Sequence, residues 1–528
     1  MSIRLPEPFI ALTPTRLPSQ TYWRYLAVMT VGKSNSLAGA ADPGPSAPPA
    51  ESGPLAANRP AKGSANGSAK SPSTGSRATA WIVAAGVFVV NLDLFIVNVA
   101  VPALGDSFDG SSLASLSWVL NAYAIAFAAL LVVAGRLADR YGHRRGFLLG
   151  LAAFTVASAL CAVAPGVGWL VAARALQAAG AAALMPTSLA LLLVNTAPER
   201  RPQAIRSWAA IGGIAAGLGP VIGGLLVEAD WRWVFLVNVP VGAVGLVAGA
   251  RLLPDVRPDR DGRLPDLAGA ALLTLAIGAL ALGLVKSDAW GWGSPKVIGS
   301  LVATVVLAGA FWLRSARHSA PIVELPMLRT PAFAAATLAA LLFSVAFAAM
   351  LLTSVLWCQQ MWGYSAIRTG LAIAPGPLVV PVLAVTSGPM VRRLGAGRTA
   401  ALGCLLFAVG LGWWAVALDT APHYAAGLLP GMLITGIGVG FALPTLVGAA
   451  AAALPPTRFA TGSAVTTMAR QTGSVLGVAL MVTLLATPDG PAEALDAFRH
   501  GWWAAAAIAV LAAAAALTLP RPGAAGRA

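Results

Sequence analysis

The chain has 528 residues, of which 57% are hydrophobic and only 10% charged, and its formal net charge is +15. A soluble globular protein carries about 25% charged residues, so an ordinary water-soluble enzyme or binding domain is excluded. The apolar residues come in long runs with none of the alternation that marks a β-barrel, which predicts an all-α polytopic membrane protein.

Residues 1–78 are rich in Pro, Ala, Gly and Ser, and this composition cannot bury enough surface to fold. The segment is read as a disordered cytoplasmic tail. It lacks the charged start, apolar run and cleavage site of a signal peptide, and Met29 is an alternative first residue. Its eight Lys and Arg residues either stay solvated or touch acidic lipid headgroups.

Apolar spans follow at 81–101, 118–137, 147–165, 169–194, 206–227, 233–253, 267–286, 297–314, 333–356, 369–387, 399–418, 424–447, 461–486 and 501–519, fourteen in all. The first contains Asp93 near its middle. An ionised carboxylate at mid-membrane costs at least ~2.5–3.5 kcal/mol. Such a residue is kept where it faces a wet cavity or a partner; the structural alternative is a hydrogen bond to Asn91 or Asn98. Arg174 and Arg470 are the two arginines that lie within later spans away from their ends.

With the first span starting inside, and allowing a residue or two at each span boundary, the inside loops and C-terminal tail hold about 20 Lys and Arg, against five outside: Arg232, Lys286, Lys296, Arg368 and Arg499. This is the positive-inside pattern, and it predicts both termini in the cytoplasm. It also explains the net charge without nucleic acid, so no nucleic-acid partner is expected. The excess of Arg (30) over Lys (5) reads as the codon bias of a GC-rich, bacterial genome.

The sequence repeats itself. Gly135-Arg-Leu-Ala-Asp-Arg-Tyr-Gly-His-Arg-Arg145 after the second span aligns with Gly388-Pro-Met-Val-Arg-Arg-Leu-Gly-Ala-Gly-Arg398 after the tenth. Gly180 and Pro186 in the fourth span match Gly438 and Pro444 in the twelfth. The implied organisation is an N-terminal six-helix bundle at 79–253, a two-helix insert with linkers at 254–332, a C-terminal six-helix bundle at 333–519, and a cytoplasmic tail at 520–528. Cys161, Cys358 and Cys404 match no metal spacing, so neither metal nor disulfide is expected. No Gly-x4-Gly-Lys-Ser/Thr loop and no credible Ser/His/Asp set occurs, so an ATP-driven pump and an enzyme are disfavoured and no cofactor is expected.

Several motifs stand in order on these spans. Leu92-Asp93-x-x-x-Val97-Asn98-Val99-Ala100-x-Pro102 is in the first span and Trp118-Val119-x-x-Ala122-Tyr123 in the second. The loop Gly135-x-Leu-Ala-Asp139-Arg140-x-Gly142-x-Arg144-Arg145 follows. Arg174-x-x-Gln177-x-x-Gly180 lies in the fourth span, and Gly213-x-x-x-Gly217-x-Gly219-Pro220-x-x-Gly223-Gly224 in the fifth. Trp231-Arg-Trp-Val-Phe-x-x-Asn238-x-Pro240-x-Gly242 and Ala469-Arg470-Gln471-x-Gly473-x-x-x-Gly477 complete the set. Together they resemble the major facilitator superfamily, specifically its 14-span drug/proton antiporter family of the multidrug efflux type, over nearly everything after residue 80.

The resemblance implies two six-helix bundles plus two inserted helices and transport by alternating access. It gives Asp93 and Arg174 a role in proton coupling, against structural alternatives in which each only bonds neighbouring helices. Asp93, Asn98, Gln177, Arg470 and Gln471 are the expected lining of a substrate cavity, with Arg470 facing either an anionic group or backbone. The loop residues Gly135, Asp139, Arg140, Gly142, Arg144 and Arg145 are the expected cytoplasmic gate, where Arg/Asp bonds can latch one half to the other and Asp139 can cap a helix N-terminus. Arg392 replaces the acid at the aligned place of the second half, so the latch is expected to be one-sided. Gly213, Gly217, Gly219, Pro220, Gly223 and Gly224 form the expected bendable antiporter helix. Trp413 and Trp414 are read as cavity aromatics or as interfacial anchors.

Spans ten to fourteen carry no central acid, which makes polyvalent cations poor substrates and leaves neutral, monocationic or anionic lipophilic compounds. The leading reading is a proton-coupled exporter of small lipophilic drugs or a natural product, acting as a monomer in the bacterial cytoplasmic membrane. A proton-coupled importer and a non-transporting membrane sensor are the alternatives.

Overall fold

The computed structural model describes residues 74–108, 111–197, 200–255, 266–454, 459–485 and 490–519. The tail at 520–528 lies outside them, as does the tail at 1–78 up to residue 73. The first helix starts at Thr74, inside what the sequence assigns to the tail.

Among the described residues the main elements are helices and no strand is present. The first half of the chain forms α1 Thr74–Ser107, α2 Leu113–Tyr141, α3 His143–Ala162, α4 Val167–Val194, α5 Arg201–Ala229 and α6 Trp233–Leu252. Two more follow, α7 Leu267–Val285 and α8 Pro295–Arg317. The rest forms α9 Pro331–Met361, α10 Ala366–Ala384, α11 Ala396–Ala417, α12 Tyr424–Ala452, α13 Phe459–Leu484 and α14 Pro491–Leu517. Ala- and Leu-rich sequence favours the helix at every step, and only helices or closed barrels satisfy the backbone within lipid.

Thirteen of these helices are long and apolar enough to cross a membrane. The exception is α13, whose 26 residues include Thr466, Thr467, Arg470, Gln471, Thr472 and Ser474. Thr466 and Gln471 are buried, and Thr466 Oγ1 lies 3.5 Å from Thr337 Oγ1 of α9. Some of the polarity that lowers its hydropathy is thus turned against protein.

Short polar caps start several helices. Ser112 accepts the Ser115 N–H at 3.2 Å at the head of α2, and Asp266 accepts the Gly269 N–H at 2.9 Å at the head of α7. Burial pushes the Asp266 carboxyl up, but the Gly269 N–H and the Arg314 guanidinium (Nε to Oδ1, 2.6 Å) outweigh it and hold the group below its ordinary range.

Packing repeats between the halves, and for the same steric reason. A side chain at Gly180 of α4 would meet Gly150 O of α3 at 2.7 Å; one at Gly438 of α12 would meet Gly403 O of α11 at 2.7 Å. Each glycine lets two backbones touch, so the sequence repeat is a repeat of helix contacts. Helices α1–α6 pack chiefly on one another, as do α9–α14. The two sets meet along α2–α13 and α5–α10, while α7 leans on both α2 and α13, and α8 packs on α7. Ala124, Ile125, Ile277, Ala281 and Val475 bury together where α2, α7 and α13 join.

The second set has an aromatic core. Trp357 of α9 and Trp502 of α14 have ring centroids 5.1 Å apart, and Trp414 of α11 is 6.0 Å from Trp502. Trp414 is fully buried and its Nε1 donates to Leu428 O at 3.0 Å, so it is a core residue and neither cavity aromatic nor interfacial anchor. Trp413 is exposed. Cys161, Cys358 and Cys404 are buried free thiols.

Candidate functional site: a sealed ion pair beside a two-half interface

Asp93 sits in the middle of α1, and helical periodicity decides which way it points. Asn91, Phe95 and Asn98 fall within about 60° of one another around the helix, and Asp93 is about 200° from Asn91. The Phe95 ring lies 6.5 Å from Phe347 of α9, so that face of α1 looks toward the other set of helices. Asp93 faces the opposite way, into the interior of its own set.

There Arg174 Nη1 of α4 donates to Asp93 Oδ2 at 2.5 Å, with side-chain exposures of 1% and 0%. Gln177 Nε2, one turn along α4, donates to Asp93 Oδ1 at 2.9 Å and to Ser158 Oγ of α3 at 2.8 Å. Asn238 Nδ2 of α6 donates to the same Asp93 Oδ1 at 2.9 Å. The guanidinium also donates to Gln177 Oε1 at 2.6 Å and through Nε to Val119 O of α2 at 3.2 Å, and its carbon stands 4.1 Å from the Tyr123 ring centroid. One carboxylate therefore holds three side chains from two other helices, α4 and α6, while α3 joins through Ser158 and α2 closes the arginine's far side. Opposite charges in contact, with further hydrogen bonds to both groups, are what a buried pair requires. Asn121 Oδ1 and Nδ2, Tyr123 OH and Asn238 Oδ1 are buried without a partner among the described residues.

This placement bears on the expected cavity residues one by one. Asp93 and Gln177 have no exposed surface and belong to the pair, not to a surface a substrate can touch in this conformation. Asn91 and Asn98, the structural alternatives for bonding Asp93, instead donate to backbone at Val87 O (2.8 Å) and Leu94 O (3.0 Å). Gln471 and Asn98 are each 7% exposed, whereas Arg470 is half-buried. Ser158, Tyr123 and Asn238 are missed by the sequence reading as site residues. Tyr123 and Asn238 stood inside quoted motifs, which was the available signal; nothing distinguished Ser158 from other small polar residues in spans.

At the loop after α2, Asp139 Oδ1 lies 3.6 Å from His143 Nε2, and α3 begins at His143 behind the N-cap Gly142. Gly142 holds φ at 103°, a conformation open to glycine. Arg144 Nη2 donates to Ala250 O of α6 at 2.5 Å, tying the loop to its own set of helices. The contact from this end of α2 toward the linker before α9 comes from Arg136, 3.8 Å from Glu324, a residue the sequence did not single out. Arg136, Asp139, His318, Glu324 and Arg329 line a cavity of about 650 Å³ there. A Cβ added at Gly135 would come within ordinary contact of Pro186 of α4, and the Arg140 guanidinium stands 5.9 Å from the Tyr141 ring centroid; Arg145 is exposed.

The glycines of α5 serve two neighbours. Gly219 and Gly223 face α1, where a Cβ would stand 2.6 Å from Phe95 Cβ and 3.1 Å from Ile96 O. Gly213, Gly217 and Gly224 face α10 across the interface, where a Cβ on each would stand 3.7 Å from Pro381, 3.6 Å from Leu378 and 2.5 Å from Ala366 O. Pro220 lacks an N–H for the Ala216 carbonyl, and its own carbonyl meets the backbone at Gly370. Near the same end Glu228 Oε2 accepts the Ile367 N–H at 3.4 Å, and Gln359 Nε2 of α9 donates to Val99 O of α1 at 3.2 Å. The α5–α10 crossing is therefore tight at Gly224 and ordinary at Gly213. Gly224→Ala will lower the stability of the purified protein by ~1–3 kcal/mol, and Gly213→Ala will leave the unfolding midpoint near that of the parent. Equal midpoints for the two variants would refute this account of the interface.

The family description of the Major Facilitator Superfamily matches residues 83–478. The chain belongs to the Major Facilitator Superfamily. Among similar members is the tetracenomycin C resistance and export protein of Streptomyces glaucescens, 35% identical over 450 residues that cover 83% of this chain and 81% of the relative. The probable actinorhodin transporter of Streptomyces coelicolor is 34% identical over 410 residues, covering 74% and 69%. The puromycin resistance protein pur8 of Streptomyces alboniger is 35% identical over 450 residues, covering 81% and 87%. In fold the chain is similar to a solved auto-inhibited POT family peptide transporter, with TM-score 0.62 and 17% identity over 83% of this chain and 96% of that one. A Major Facilitator Superfamily chain with this many apolar helices is a multi-pass membrane transporter.

Proposed function

We propose that the chain is a proton-coupled antiporter that exports lipophilic drugs or a secreted natural product across the bacterial cytoplasmic membrane by alternating access. The observation that carries the coupling half of this reading is the sealed Asp93–Arg174 pair. In a water-free interior the carboxylate is neutralised either by the guanidinium or by a proton. Arg174 holds Asp93 here. A rearrangement that draws α4 from α1 leaves Asp93 to take a proton; the reverse movement returns the guanidinium and expels it. The α5–α10 and α2–α13 seams are the surfaces on which the two halves can rock, and the glycines of α5 allow α10 to stay in contact. The export half rests on relatives named for export of or resistance to tetracenomycin C, actinorhodin and puromycin. Arg136, Asp139 and Arg144 act as positioning groups at one mouth, with both termini placed on the cytoplasmic side by the positive-inside pattern.

Everted membrane vesicles test direction and coupling together. An acid lumen will drive dye accumulation, and nigericin, which collapses the gradient, will abolish it. Accumulation driven by an acid bath would instead identify an importer, and indifference to the gradient a sensor or an uncoupled carrier.

A further inference from the structure

The charges buried between the helices do not balance. Asp93 and Arg174 cancel, and the next basic side chain in mid-helix is Arg470 of α13. Among the described residues its guanidinium has no ion pair or hydrogen bond, and its Nε is buried without a partner. Helical periodicity shows which surface it belongs to. The α9 contacts of α13 run through Gly462, Thr466, Gly473 and Gly477, and Val475 buries with Ala124 and Ile125 of α2. Between those two faces lies a stripe at spacings of four, three and four: Ser463, Thr467, Arg470 and Ser474. All four are partly exposed, although the helix stands between α9, α2 and α7. The stripe is hydroxyl-bearing with one uncompensated positive charge.

An unpaired guanidinium away from bulk water is costly, and removing its counter-ion from the chain leaves that role to a ligand. The planar fork suits a carboxylate or another oxyanion, which it can bind through two parallel bonds. Among the described residues the mid-helix carboxylate of the other half, Asp93, is sealed against Arg174 and is not free to pair with a cation. We propose that Arg470 is the substrate-recognition group of the transporter, and that it selects lipophilic compounds carrying an anionic group over cationic ones. The hydroxyls of Ser463, Thr467 and Ser474 flank it as neutral donors. This assignment rests on the export reading and adds the substrate class to it.

The test uses everted vesicles containing the full chain and two dye pairs of opposite charge: fluorescein against rhodamine 123, and 1-anilinonaphthalene-8-sulfonate against ethidium. Parent vesicles with an acid lumen will accumulate the anionic member of at least one pair over its cationic counterpart. Arg470→Gln will lower the anion-to-cation uptake ratio by about tenfold or more, the loss of one charge-assisted interaction of ~1.4 kcal/mol or more. Arg470→Lys, which keeps the charge but not the fork, will retain most of that ratio. Because the readout is a ratio within one preparation, lowered expression of a variant does not mimic the effect. An unchanged ratio in Arg470→Gln, or parent vesicles that take up cationic dyes alone, would overturn the anion assignment while leaving export intact. Parent vesicles that accumulate none of the four dyes would overturn the export reading itself.

Discussion

Asp93→Asn will abolish gradient-driven accumulation in everted vesicles while substrate–substrate exchange persists. Asn has the shape of Asp and the charge of its protonated form, so the variant mimics one partner state of the proposed cycle. It can still receive Gln177 Nε2 and Asn238 Nδ2, which now meet Asp93 Oδ1 at 2.9 Å. Arg174 keeps Gln177 Oε1, Val119 O and the Tyr123 face. The fold should therefore survive, at the cost of leaving the guanidinium without its counter-ion. What is lost is the competition between guanidinium and proton, and with it the link to the gradient. Accumulation should fall by a factor of about 100 or more, since removing the only exchangeable central acid removes the driving term, not part of it (each 1.36 kcal/mol is a factor of ten). A variant that still accumulates dye at the parental rate, and still loses it on collapse of the gradient, would move coupling away from Asp93.

How far the sequence reached depended on whether the controlling physics was local. Spans were legible because the lipid requirement is written into about 20 consecutive residues, and the break at Asp93 because an acid in such a run is costly wherever it points. The repeat of Gly180 and Gly438 was legible because backbone contact demands glycine in both halves. The direction of Asp93 was also local information: Asn91, Phe95 and Asn98 define a face that excludes it. The family resemblance carries the residue type and not the face it turns to, and it is from residue type that it implies a cavity position for Asp93 and Gln177.

Partners drawn from distant segments were not legible. Asn238 is 145 residues from Asp93, and Ser158 meets Gln177 only because α3 and α4 touch at Gly150 and Gly180. Arg136 was one of several basic residues in a loop that topology alone made basic, and only the placement of Glu324 beside it sets it apart. Trp414 looked like an interfacial tryptophan because sequence gives its depth along α11 but not its rotation toward α14.

Arg174→Gln will damage the fold, and the reason lies in what the change leaves behind. Without the guanidinium, an ionised Asp93 at 0% exposure keeps only neutral amide donors from Gln177 and Asn238. Wherever a proton does not replace the guanidinium, that uncompensated buried charge costs ~3–5 kcal/mol, comparable to much of the total stability of many domains. The expected result is a large fall in the unfolding midpoint and in the amount of folded protein recovered from membranes. Adding Asp93→Asn to Arg174→Gln removes the stranded charge, so the double variant should recover most of the lost stability while remaining uncoupled from the gradient. The sign of that interaction is the decisive quantity. If the double variant is no more stable than Arg174→Gln alone, the two residues are not a charge pair in the folded protein. The exchange of guanidinium for proton at Asp93 would then have no physical basis, whatever the single variants do to transport.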